Sequence, residues 1–180
     1  ATTGKRTARF RTSMVRISAA GLSTSTKLAR RPKAAVVDLV AARSRGSWSS
    51  ERKFQCQLAR VDDGGRRVLL AKPETYMNAS GEAVAGLAGY YKVPPERVLV
   101  VVDDADLPLG EIRMRPSGSS GGHHGLESVE AHLGTREYAR QRIGIGRDRP
   151  EERRITGHVL APFRAGERPL LEKVLQSAAE

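Results

Sequence analysis

The stretch Val98–Leu126, VLVVVDDADLPLGEIRMRPSGSSGGHHGL, decides how this chain is read. It opens with five consecutive apolar residues, Val98 to Val102, and stops on Asp103, Asp104 and Asp106. A short β-branched run without polar alternation is the pattern of a strand buried on both faces of an α/β sheet. Acidic groups directly after it lie at the carboxyl end of the strand, where open α/β sheets place their binding crevices. A basic strand, Glu111–Arg115, follows, then a loop rich in glycine and serine, then a helix start at His124-Gly125-Leu126. Acid, base and a loop that permits close backbone approach converge on one rim, which marks a candidate site.

The flanking sequence alternates strands and helices. Upstream, Met14–Ser18 reads as a first strand, and Pro32 suits the first turn of a helix continuing through Ala42. Lys53–Arg60 and Arg67–Ala71 read as a hairpin around Asp62-Asp63-Gly64-Gly65. Lys72–Asn78 forms a loop, and Asn78 or Ser80 caps a helix running to about Lys92. Downstream, a helix closes at Gly134, Gln141–Gly146 is a strand, His158–Leu160 a short extended piece, and Glu167–Ala179 a last helix. This order predicts an α/β fold: one domain, three layers α/β/α, with a mixed central sheet. Residues 1–13 read as a basic arm, and residues 14–180 as the domain.

Charge is concentrated towards the N-terminus. The 180-residue chain has a formal net charge of +11, which favours a polyanionic partner such as RNA. Residues 1–33 carry nine Lys/Arg and no acid, leaving the rest near balance at 22 basic against 20 acidic groups. The arm at residues 1–13, rich in Arg, Ser and Thr, has the composition of an organellar transit segment. The single cysteine, Cys56, excludes an internal disulfide and a cysteine-cluster metal site. No metal or cofactor is expected, since no His/Cys/carboxylate spacing has a metal pattern and the glycine loop lacks the lysine of a P-loop. No apolar run approaches the roughly 20 residues that span a bilayer, so a membrane role is not expected.

The blocks KPETYMNASGEAV (Lys72–Val84), DADLPLG, SGGHHGLESVEAHLG and RQRIGIGR resemble, in order and spacing, the bacterial-type peptidyl-tRNA hydrolase family. The resemblance implies that family's fold and a cleft retaining Met77, Asn78 and Asp103, with His123 and His124 beside the glycine loop. It also implies a catalytic histidine just before the first helix. Anchoring on Val36-Val37-Asp38 places Arg30 there, and an arginine, with a pKa above about 12, is no base. Where the family carries a site asparagine, this chain has His124.

Arg113, Arg115 and Arg142 fall at basic positions of the family, and Arg136, Arg140 and Arg147 add to them. Lys5, Arg6, Arg9 and Arg11 of the arm complete the expected RNA contacts. The leading expectation is a catalytically degenerate RNA-binding protein, a structural component of a mitochondrial ribosome. Its partners would be rRNA or tRNA and ribosomal proteins. The alternatives are an active peptidyl-tRNA hydrolase with a displaced base, such as His124, and an organellar RNA-splicing scaffold.

Overall fold

The computed structural model describes residues 14–18, 32–146 and 165–180. The expected arm at residues 1–13 and the extended piece at His158–Leu160 lie outside the described residues.

The described elements run β1 (Met14–Ser18), α1 (Pro32–Arg43), β2 (Trp48–Glu51), β3 (Cys56–Asp63), β4 (Arg66–Pro73) and α2 (Ser80–Tyr90). They continue with β5 (Val98–Asp104), β6 (Ile112–Arg115), α3 (His124–Leu133), β7 (Ala139–Gly144) and α4 (Arg168–Ala178). The strands form one mixed sheet in the order β2-β3-β4-β1-β5-β7-β6. β4, β1, β5 and β7 are mutually parallel, and the edges β2-β3-β4 and β6-β7 are antiparallel. The carboxyl ends of four strands therefore share one edge.

All seven residues of β5 are buried, as its uninterrupted apolar run predicts. Its parity sorts the layers. Val98, Val100 and Val102 pack with Val84, Leu87 and Ala88 of α2 and Leu126 and Val129 of α3. Leu99 and Val101 face the other way, onto Val36 of α1 and Val174 and Ala178 of α4. The result is the expected three-layer α/β/α arrangement. The same alternation carries past the valines, so Asp103 emerges on the α1 side and Asp104 on the α3 side.

The structure differs from the sequence reading at three places. The strand expected over Lys53–Arg60 begins only at Cys56, because Arg52–Phe54 forms a tight turn ended by left-handed Gln55, φ 48°. That turn releases a separate edge strand, β2, which pairs antiparallel with β3. The third difference is the start of α2, where neither Asn78 nor Ser80 supplies a side-chain cap. There the Gly81 N–H donates to the Ser128 hydroxyl of α3 at 3.0 Å. A Cβ on Gly81 would lie 2.0 Å from the Ser128 carbonyl oxygen. The two helices cross so closely that one caps the other, which local propensity cannot reveal.

Candidate functional site

The site lies on the shared carboxyl edge. At the end of β5, the Asp103 carboxylate meets the first turn of α1. Its Oδ1 accepts from the Lys33 backbone N–H at 3.0 Å, filling one of the unpaired donors that every helix start carries. Lys33 Nζ stands 3.1 Å from Oδ2, with side chains only 5% and 1% exposed. This second contact is ionic rather than an aligned hydrogen bond, for Oδ2 accepts none among the described residues. A cation in the first turn of a helix opposes the helix dipole. Asp103 offsets that, and removing either partner would leave a buried charge uncompensated.

Asp104 faces the opposite side. Its Oδ2 receives Arg142 Nη1 at 3.0 Å, and its Oδ1 accepts the Asp106 backbone N–H at 2.9 Å. Arg142 also donates from Nη2 to the Ser120 carbonyl at 2.6 Å, so one guanidinium ties the strand end to the glycine loop. Gly121 is left-handed, φ 58°, and a Cβ there would lie 3.0 Å from Arg142 Nη2. A side chain at this position would push against the clamp.

The loop delivers two histidines with different surroundings. His123 is the N-cap of α3, and its Nδ1 accepts the Leu126 backbone N–H at 3.2 Å. A neutral ring accepting at Nδ1 carries its proton on Nε2. Burial, and then the nearby Lys33 ammonium, push its pKa down to about 4, against a smaller upward pull from Asp103. His123 is therefore neutral near pH 7 and offers an N–H donor. His124, 72% exposed, places Nδ1 2.9 Å from Glu127 Oε2 one turn along the helix.

The remaining wall comes from the loop after β4. Tyr76 and Asn78 are exposed there, and the turn Met77–Ala79 packs against α3. Thus Asn78, Asp103, His123 and His124 are brought to one edge, with Met77 in the same turn. Arg30 lies outside the described residues.

The expected RNA contacts divide sharply. Arg113 and Arg115 on β6 are exposed, as is Arg136. Arg140 is not: its side chain is 2% exposed, with Nη1 donating to Ser119 O at 2.8 Å and Nη2 to Arg136 O at 3.2 Å. Its expected RNA contact is corrected to a structural role, because its guanidinium faces the loop and Glu130 rather than solvent. Arg142 is likewise engaged with Asp104 and Ser120. Arg147 and the arm residues Lys5, Arg6, Arg9 and Arg11 lie outside the described residues.

Sequence reading missed Lys33, Glu127 and the Arg142–Asp104 clamp. Lys33 left one signal, a cation placed against the dipole of its own helix, which calls for an acid nearby. Glu127 left another, standing three residues after His124, where helix side chains meet.

The peptidyl-tRNA hydrolase family model matches residues 34–180. The chain belongs to the peptidyl-tRNA hydrolase family. It is 44% identical over 146 residues to a peptidyl-tRNA hydrolase of Synechocystis, covering 81% of this chain and 75% of that protein. It is 46% identical over 145 residues to the peptidyl-tRNA hydrolase of Carboxydothermus hydrogenoformans, covering 81% and 76%. The crystal structure of the Acinetobacter baumannii peptidyl-tRNA hydrolase superposes with a TM-score of 0.83 at 29% identity, covering 91% of this chain and 83% of that one.

These relatives overturn the expectation of a degenerate ribosomal component. Proteins this similar over four fifths of the chain are named as hydrolases, which favours the active reading. The degenerate reading rested on Arg30, which precedes the span that the family model matches, and on His124 at a site asparagine within it.

Proposed function

We propose that this chain hydrolyses the ester that joins a peptide to tRNA. The observation that carries the reading is the placement of a neutral, donor-bearing His123 beside the Lys33–Asp103 pair, next to a strand of exposed arginines. Hydrolysis of such an ester needs three things on one edge: an anchor for the tRNA phosphates, donors for the oxyanion, and a base for water.

Arg113 and Arg115 point from β6 on the face that also carries Arg142 and Arg140, opposite them in register. Like charges directly opposite one another repel. The β7 pair is neutralised by Asp104 and Glu130. Arg113 meets Glu111 at 3.0 Å in an exposed, weak pair. A polyanion laid along β6 would relieve the remaining repulsion, and the tRNA backbone is one. At the strand ends, the His123 Nε2–H donates to the oxygen that becomes negative as water adds. The exposed amide of Asn78 orients the substrate from the opposite wall.

The test is turnover of N-acyl-aminoacyl-tRNA with the chain at substoichiometric concentration. The proposal expects many equivalents of N-acyl amino acid released per chain. Binding that saturates at one equivalent without ester cleavage would overturn it.

A further inference from the structure

We propose that His124, oriented by Glu127, is the base that activates water in this chain, an inference that rests on the hydrolase reading above. Among the described residues, the buried charged groups and the other histidines near the carboxyl edge are committed elsewhere. Asp103 and Asp104 are buried carboxylates committed to Lys33 and Arg142. The Lys33 ammonium is held by Asp103. The Nδ1 lone pair of His123 is used by the Leu126 N–H, and its Nε2 carries the proton, so the ring donates rather than accepts. His132 donates from Nδ1 to the Ser128 carbonyl, 2.8 Å away, but lies eight residues on, roughly 12 Å further along α3.

His124 has the opposite arrangement. An ionised carboxylate can only accept, so the 2.9 Å contact with Glu127 Oε2 places the ring proton on Nδ1 and leaves the Nε2 lone pair open. The ring is 72% exposed and Glu127 49%, so water reaches the pair freely. Glu127 belongs in the first turn of α3, where a negative charge suits the helix dipole. His124 directly follows His123, and α3 packs against the turn that bears Asn78. The base therefore stands beside His123, at the start of the helix that packs on the Asn78 turn.

The chemistry balances with these groups alone. The water oxygen bonds to the ester carbonyl carbon as its proton passes to His124 Nε2. His123 receives the developing oxyanion. The bond from the carbonyl carbon to the ribose oxygen then breaks, and that oxygen takes the proton back from His124. Peptide acid and tRNA hydroxyl leave, and the acid ionises in solution. Glu127 touches no reacting atom and is a positioning residue.

The experiment is hydrolysis of N-acyl-aminoacyl-tRNA by the full chain and by His124→Ala, His124→Gln and Glu127→Gln, each checked for unchanged thermal unfolding. Both His124 variants should lose about 100-fold or more in kcat with KM unchanged. Added imidazole should restore part of the rate to His124→Ala. Glu127→Gln should lower kcat on the order of tenfold without moving KM. A His124→Ala variant within about threefold of wild type overturns the dyad and leaves the hydrolase reading standing. A wild-type chain that does not hydrolyse the ester overturns both.

Discussion

β6 and β7 lie side by side and carry the same residue in register, Arg113 opposite Arg142 and Arg115 opposite Arg140. Their fates differ. On β7 the guanidiniums turn inward, Arg140 onto Ser119 O and Glu130 and Arg142 onto Ser120 O and Asp104. On β6, at the sheet edge, Arg113 is 48% exposed, and Arg115 is exposed too. The inner pair fixes the glycine loop that presents His123 and His124, and the outer pair stays exposed, where the proposed function places the tRNA backbone. A basic residue becomes structural where a buried acid and carbonyls sit within its reach, and stays exposed where its only partner is a surface acid.

The comparison breaks most visibly at Arg140. Arg140→Leu leaves Glu130 and the Ser119 carbonyl without their buried partner and should cost about 3–5 kcal/mol in urea unfolding. A loss under about 1 kcal/mol would place this arginine with the surface residues after all.

Next in size is acid sensitivity, because His123 is held neutral in the same loop. Its folded pKa of about 4 lies below the ordinary histidine value of 6.5, so between those pH values the unfolded chain binds the extra proton. Stability should be full above about pH 6.5 and fall by up to roughly 3 kcal/mol towards pH 4. His123→Asn, whose amide oxygen can still cap α3, should flatten that slope in pH-dependent unfolding. A wild-type stability that does not change over this window would contradict the buried-neutral assignment.

Arg142→Ala comes third. Freed from Asp104, the loop should loosen, with kcat lowered about tenfold and the salt dependence of tRNA binding nearly unchanged. Arg115→Ala is its mirror image. Stability should stay within about 0.5 kcal/mol, while the slope of log affinity against log salt becomes shallower by about 0.7–0.9. If the two variants exchange these signatures, the division between the strands is wrong.

Much of this fold was legible because β5 is unambiguous. Val98–Val102 has no polar interruption, and the acids after it can only lie at a strand end. The helix start at His124, the turn at Asp62–Gly65 and the amphipathic last helix were equally local signals. What escaped was set by distant partners. The cap of α2 comes from Ser128, 47 residues away, and Asp103 meets Lys33 across 70 residues. Counting arginines does not separate buried ones from exposed ones, since Arg140 and Arg113 look alike in sequence. The functional reading erred for a related reason. It weighed Arg30, upstream of the span that matches the family model, and His124, within it, above the similarity of that span as a whole.

The most direct test of the account is a single-turnover assay with the chain in excess over N-acyl-aminoacyl-tRNA, following complex formation and ester cleavage in the same sample. The account predicts that bound tRNA is deacylated, with a rate that depends on His123 and binding that depends on Arg115. A stable complex whose ester persists as long as in the free substrate would contradict it.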